Sequence, residues 1–428
     1  MIKFIDLFAG TGGIRLSLEQ ACENLGVKTK CVFSSEIDKN ACLSYDLNFG
    51  VDPYSDIRMI DSLPDFNFLL AGFPCQSFSY AGKRKGFGDT RGTLFFEVER
   101  ILNDKRPKYF LLENVRGLIT HDKGRTYDTI KTKLEDLGYS VDYLLLNTSN
   151  FDVPQNRVRI YILGVLEKSI KLTLNSNLGA ADTHKFKLNT VNKQLSLFDT
   201  STISVTASRT PKVVKDILEV NPDKKYQCSK DFVLRLRKVV GNDLSQLNGY
   251  RLIDYRGGKS IHSWELGVKG DCTSNEVEFM NLLIANRRKK IFGIHQDGKS
   301  LTREQIETFY HANNFEEVTS SLLSKGYLSC NERKFNPVCG NMSFEVFKFL
   351  DPDGISITLT ASDANRLGVV QNNMPRRITP RECARLQGYP DSYKLINNDN
   401  AVYKQMGNGV SVPVVKRVLT DFIENNYE

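Results

Sequence analysis

The chain has 428 residues, 40% hydrophobic and 25% charged, the balance of a water-soluble globular protein too long for one compact core. No run of about 18 apolar residues is present to span a bilayer, and Met1-Ile2-Lys3-Phe4-Ile5-Asp6 reads as a strand rather than a signal peptide, so cytosolic work without a membrane is expected. Nine scattered cysteines, with no Cys-x-x-Cys pair, argue against a metal site and a disulfide framework; the net charge of +8 leans toward polyanionic partners without selecting one.

Residues 1 to about 170 alternate short apolar runs with amphipathic stretches, as in a parallel sheet flanked by helices, so the fold class is α/β. Strands are expected at Lys3-Phe8, Lys30-Ser34, Asn67-Ala71, Lys108-Leu112, Val141-Leu146 and Arg159-Val165. Between the first two, Ile14, Leu18, Ala21, Cys22 and Leu25 recur at helical spacing and bury one helix face on the sheet. From about 170 to 210 the chain turns rich in Ser, Thr, Asn and Lys, as a surface connection between domains does. The stretch from about 210 to 395 mixes short helices and strands and reads as a separate α+β domain. Within it, Arg287-Arg288-Lys289-Lys290 is either a phosphate contact or a solvated face. Thr302-x-x-Gln305 has a capping-box pattern, and Ile306, Phe309 and Tyr310 lead to a second helical stretch ending near Gly326, a helix pair suited to a major groove. Thr379-Pro380-Arg381-Glu382 starts another helix. Val414, Val415, Val418, Leu419 and Phe422 form a stripe expected to return to the first domain. The expected division is 1–180, 185–395 and 396–428.

Open α/β sheets carry their sites beyond the carboxyl ends of the strands. The first strand ends in Phe8-Ala9-Gly10-Thr11-Gly12-Gly13, a turn whose missing side chains let backbone approach a nucleotide-like cofactor, or else simply a tight turn. Glu36 lies 23 residues beyond Gly13, near the interval of about 20 at which an acidic residue binds ribose hydroxyls. That spacing does not separate a dinucleotide from S-adenosylmethionine. The third run opens into Gly72-Phe73-Pro74-Cys75-Gln76-Ser77-Phe78-Ser79, an irregular polar loop that presents a thiol at the crevice. Glu113-Asn114-Val115 brings a carboxyl group to the same place, unless it caps the next helix. In Gln155-Asn156-Arg157-Val158-Arg159 two arginines at period two share a side, as an anion contact or a basic edge.

Taken together, Phe4-Ile5-Asp6-Leu7-Phe8-Ala9-Gly10, Pro74-Cys75-Gln76, Glu113-Asn114-Val115, Gln155-x-Arg157-x-Arg159 and Gly407-Asn408-Gly409-Val410-Ser411-Val412-Pro413 closely resemble, in order, the motifs of bacterial DNA cytosine-5 methyltransferases, the modification partners of restriction systems. The resemblance implies a Rossmann-like S-adenosylmethionine-dependent methyltransferase sheet with a smaller α+β target-recognition domain. It places Phe8, Gly10, Thr11, Gly12 and Gly13 in the pocket for S-adenosyl-L-methionine, with Glu36 on the ribose, Ile37 on the adenine and Asp56-Ile57 at the adenine edge. Gly72, Pro74, Asn408 and Val410 complete that pocket. Family members commonly carry Ser where Gly409 stands, so Gly409 is expected to act through its backbone.

The same resemblance makes Cys75 the nucleophile that adds to carbon 6 of a flipped-out cytosine, and Glu113, with a raised pKa, the donor at ring nitrogen 3. Arg157 and Arg159 hold the target nucleotide, with Arg159 orienting Glu113, while Gln76 and Ser79 contact the substrate. Gly82, Gly86, Gly88 and Gly92, set among Lys83-Arg84-Lys85 and Asp89-Thr90-Arg91, suit a hinged, phosphate-contacting lid. The partners implied are duplex DNA with a short specific site and a cognate restriction endonuclease, for a monomeric enzyme without a metal. A transfer-RNA methyltransferase of the same fold would carry much the same catalytic motifs; the large recognition segment favours duplex DNA. A catalytically dead DNA-binding module is opposed by the intact Cys75, Glu113 and arginines, and a thiol hydrolase pairing Cys75 with His121 leaves the glycine-rich turn unexplained.

Overall fold

The computed structural model describes residues 1–74, 94–177, 211–293, 299–339 and 344–428. Cys75, Gln76, Ser79 and the glycine-punctuated stretch expected as a lid lie outside the described residues. The chain divides into two compact units, one of Met1–Ile217, Ile355–Ala364 and Pro380–Glu428, the other of Leu218–Gly354 and Asn365–Thr379.

In the first unit, β1 (Ile2–Leu7), β2 (Thr29–Ser35), β3 (Phe68–Ala71), β4 (Tyr109–Val115), β5 (Tyr139–Asn147) and β6 (Val158–Leu166) form one sheet in the order β2-β1-β3-β4-β6-β5. β1 to β4 run parallel to one another, and β6 is antiparallel to both β4 and β5. All six expected strands are present; the apolar runs of β1, β3, β4 and β6 are buried on both faces, while the outer strands β2 and β5 are partly exposed. Gly164 is paired with Phe110, whose ring lies 2.1 Å from where a Cβ would stand, so the glycine seats the aromatic across the strands.

One sheet face is covered by α1 (Gly13–Asn24), which buries Ile14, Leu18, Ala21 and Cys22 as expected, and by the helix Val412–Asn426. The expected stripe, Val414 to Phe422, packs there, with the Phe422 ring 5.7 Å from Phe68 and 5.8 Å from Tyr109. The other face is filled by Phe95, Val98, Ile101 and Leu102 of Leu94–Lys105 and by Ile130 and Leu134 of Arg125–Asp136.

The units are divided differently from the expected boundaries. Ile170, Leu172 and Leu174 alternate at period two and pack on the core under the final helix, so the chain stays with the sheet where its polar composition signalled a surface connection. Ser356 and Leu359 belong there too: the Ser356 N–H donates to the Pro154 carbonyl at 2.7 Å, and the Leu359 N–H to Gln155 Oε1 at 2.9 Å. Pro380–Leu386 is the expected helix, and it starts the chain's return well before residue 396.

The second unit holds a five-stranded sheet, with Leu367–Gln371 and Met374–Arg377 at one edge, and a helical core around Trp264, Phe279 and Phe315. Both halves of the capping box at Thr302 and Gln305 are formed, and the second expected helix is Phe315–Lys325, closed by Gly326 in the left-handed conformation. Among the described residues no helix is long and apolar enough to cross a membrane.

Phe422→Ala empties the space against Phe68 and Tyr109, and an unfolding free energy lower by about 3–5 kcal/mol is expected in urea melts. A loss under about 1 kcal/mol would mean that the final helix contributes little to the sheet's core.

Candidate active site

A cavity of about 670 Å³ opens beyond the carboxyl ends of β1, β2, β3 and β4, within the first unit. Phe8, Gly10, Thr11 and Gly13 line it from the turn after β1, Glu36 and Ile37 from the end of β2, and Asp56 and Ile57 from the following loop. Gly72 and Pro74 line it after β3, Glu113 on β4, Arg157 and Arg159 at β6, and Asn408 and Val410 from the C-terminal segment. Every expected site residue among the described ones is therefore brought together, with Gly12 as the exception. Gly12 has φ +77° and precedes α1, and a Cβ there would meet the Phe49 ring at 2.2 Å, so it serves the chain's entry into the helix.

At β2 the Glu36 carboxylate is fixed by three backbone donors: Gly10 N–H at 2.8 Å on one oxygen, and Ile37 and Asp38 N–H at 2.8 and 2.7 Å on the other. A carboxylate held this way presents its remaining lone pairs in a set direction, which suits hydroxyl groups. Beside it the Ile37 side chain is 64% exposed, an apolar surface left for a ligand to cover. Asp56 accepts from the Arg58 N–H at 3.0 Å and from its guanidinium, so the carboxylate stays at the wall.

At β4 the Glu113 carboxyl is buried, with Oε1 at 3.2 Å from Arg159 Nε and Oε2 at 3.7 Å from where a Cβ on Gly72 would stand. Burial raises its pKa above the ordinary value near 4.5, and Arg159 and Arg157 only partly oppose this. Asn114, also at the cavity wall, donates to the Phe73 carbonyl at 2.9 Å, which holds the chain just ahead of Pro74. Near the carboxyl end of β1 Asp6 is fully buried beside Tyr45, and desolvation pushes its carboxyl well above its ordinary value.

The two arginines expected to act together have different surroundings. Arg159 faces Glu113, whereas Arg157 is 1% exposed and turned onto backbone carbonyls. Its Nη1 donates to Leu359 O at 2.8 Å, and its Nη2 to Gly407 O at 3.3 Å and Gly409 O at 2.5 Å. Burial, aided by Arg159, lowers its pKa to about 9, which leaves it protonated at neutral pH. Gly409 thus takes part through its carbonyl. Gly407 packs so closely that a Cβ would stand 2.3 Å from the Thr360 carbonyl carbon.

The sequence reading missed several wall residues. The Tyr389 hydroxyl bonds Thr11 Oγ1 at 2.9 Å, Lys404 pairs with Asp38 at 2.8 Å, and Gln405 accepts from Ser44 at 2.9 Å. The helical spacing of Ala401, Lys404, Gln405 and Asn408 was the available signal, since one face carries all four. Tyr389 had none.

A sheet with one reversed strand next to its edge, and a cavity at its strand ends walled by an anchored carboxylate and a buried acid, is the methyltransferase arrangement that the sequence motifs imply. Solved structures agree on that fold: the S. pombe Dnmt2 methyltransferase matches with a TM-score of 0.51 over 99% of both chains at 18% identity. The Entamoeba histolytica methyltransferase EhMeth matches with 0.53 over 100% of this chain and 99% of that one, at 16% identity. The family model for C-5 cytosine-specific DNA methylase matches residues 2–424, and the chain belongs to that family. It is 67% identical over 425 residues to the type II methyltransferase M.BanI of Aneurinibacillus aneurinilyticus, covering 99% of this chain and 96% of the relative. It is 60% identical to M.HgiCI of Herpetosiphon aurantiacus, covering 99% and 98%. The protein is a DNA cytosine-5 methyltransferase that draws on a methyl-donor cofactor.

Arg157→Met leaves buried carbonyls without a donor, at about 1–3 kcal/mol each. A lower unfolding free energy and a weaker methyl donor affinity are expected together by calorimetry; loss of DNA affinity alone would return Arg157 to the nucleotide. For Glu113 the folded chain holds the proton more tightly than the unfolded one, so this group's contribution to stability falls as pH rises from 4.5 through the raised value. In urea melts across that window, the stability of wild type relative to Glu113→Gln should decline with rising pH; a constant difference would contradict the raised pKa.

Proposed function

We propose that the enzyme uses S-adenosyl-L-methionine to methylate carbon 5 of a cytosine flipped out of duplex DNA, protecting a short specific site against a cognate restriction endonuclease. The observation that carries this reading is Glu113, buried beside Arg159 with its pKa raised by that burial, in the same cavity as the anchored Glu36.

Glu36 would take the ribose hydroxyls, with Ile37 and Ile57 against the adenine and Asp56 at its edge. The turn Phe8 to Gly13, with Gly72, Pro74, Asn408 and Val410, would surround the rest. The bound donor supplies a methyl group on a sulfonium, open to attack by a carbon nucleophile. Cytosine carbon 5 is too weak a nucleophile unaided, and Cys75 follows Pro74 of the cavity wall directly in the chain. Its thiolate would form a bond to carbon 6 while Glu113 gives its proton to ring nitrogen 3, leaving carbon 5 electron-rich. Once carbon 5 has taken the methyl group, loss of its proton expels the thiolate and breaks the carbon–sulfur bond. Arg159 orients Glu113 and faces the target nucleotide, with Gln76 and Ser79 as further contacts. Arg157 acts through the backbone it holds.

The base must leave the stack at a cost of a few kcal/mol, offset by binding to the flanking duplex. The second unit is the part left for target recognition. A cavity lined by one unit of one chain supports a monomer, and relatives named type II methyltransferases support the restriction setting. A duplex DNA substrate in a bacterial setting fits cytoplasmic work.

Purified protein is incubated with radiolabelled S-adenosylmethionine and either plasmid duplex or transfer RNA. Label in duplex as 5-methylcytosine, lost in Cys75→Ser with donor binding retained, is the expected result. Label only in RNA would select the transfer-RNA reading, and label in neither would sink the mechanism.

A further inference from the structure

Residues 274–337 of the second unit run helix (Ser274–Asn286), strand (Leu301–Thr302), helix (Arg303–Glu307), helix (Phe315–Lys325), then strands Leu328–Asn331 and Lys334–Pro337. The last strand pairs antiparallel with both others, giving the order of a winged helix. In that motif the third helix ordinarily enters the major groove. Here its exposed positions are Glu316, Glu317, Ser320, Leu323 and Ser324, and Arg303 of the preceding helix is already paired with Glu307 and Glu316. An acidic, internally paired face repels phosphate.

The unpaired positive charge collects elsewhere in this unit. Arg287 ends the first helix, is 3% exposed, and donates to Asn336 Oδ1 at 2.6 Å and toward Cys339 Sγ at 3.8 Å. The Cys339 thiol in turn donates to the Asp254 carbonyl at 2.9 Å, which seats the loop Asp254–Lys259 against the same corner. A Cβ on Gly257 of that loop would stand 4.0 Å from the side chain of Ile284, one turn before Arg287. Arg288, Lys289, Lys290, Arg256 and Lys259 are all exposed around this corner, and none forms an ion pair with a carboxylate among the described residues. On the adjoining strand, burial together with Arg251 and Lys259 lowers Lys348 to about 8. Uncompensated like charges in one place work against folding unless a polyanion neutralises them.

We propose that the corner joining Arg288-Lys289-Lys290 to Arg256 and Lys259 is the phosphate-binding surface of this unit, and that the third helix of the winged helix is not its groove reader. The inference rests on the duplex-DNA reading above and adds where the backbone runs. Arg287 and Cys339 are positioning residues that hold the two basic segments together.

The test compares wild type with Arg288→Gln/Lys289→Gln/Lys290→Gln, with Arg256→Gln/Lys259→Gln, and with Glu316→Gln/Glu317→Gln, by anisotropy of a labelled duplex over a salt series. Removing one phosphate-binding cation lowers the magnitude of the log affinity versus log salt slope by about 0.9. Both basic sets should lower the slope and weaken cognate and unrelated duplexes by the same factor, with thermal unfolding and donor binding unchanged. The glutamate variant should leave the affinity unchanged or raise it. If wild type methylates duplex while both basic sets keep its slope, the surface is wrong and the DNA reading stands. If wild type neither binds nor methylates duplex, both fall.

Discussion

The cavity depends on one buried cation. Arg157 carries a full charge into the protein and meets carbonyl oxygens of Leu359, Gly407 and Gly409 in place of a carboxylate. Gly407 is in the last turn of the helix Asp399–Asn408 and Gly409 caps it; the carbonyls there form the negative end of a dipole, so the charge lies where a helix can stabilise it. The same bonds fix the backbone around Asn408 and Val410, two walls of the cavity. Gln155 extends the arrangement, donating to Leu386 O at 2.6 Å while Gln387 donates to Met406 O at 2.6 Å. Unmade hydrogen bonds are costly in such a network, so each link holds the next.

Two residues further on, Arg159 has different surroundings. It lies against Glu113, yet burial outweighs its attraction and raises the carboxyl's pKa. In the proposed reaction that shift favours the protonated form, which can donate a hydrogen bond to a ring accumulating negative charge. One arginine is bound to backbone carbonyls and the other lies against a carboxyl, though both share a motif and a period.

The sheet was legible because most of its strands carry short apolar runs, and the site because open α/β sheets put chemistry at strand ends; Glu36 and Glu113 were found as candidates by position. Less legible were contacts made across long stretches of chain. Nothing local marks Tyr389 as the partner of Thr11, and period two in Arg157 and Arg159 shows a shared side without showing what that side meets. Ile170, Leu172 and Leu174 were hidden because polar neighbours masked three alternating apolar residues. In the second unit the capping box at Thr302 was readable, being local, whereas the charge character of the helix face it precedes depends on which glutamates are left outward.

The close seating of Gly407 on the Thr360 backbone also has a temporal side. The walls come from β1, β2, β3, β4 and β6, all made early, and from Tyr389, Lys404 and Val410, made late. While the chain is being synthesised, β1 to β4 can pair as they emerge and β5 waits for β6, yet the Arg157 guanidinium lacks the Gly407 and Gly409 carbonyls until the end of helix Asp399–Asn408 leaves the ribosome. On the proposed reading, donor binding therefore waits for that helix to emerge, and a chain stopped before it holds β1 to β6 without the enclosure that completes the cavity.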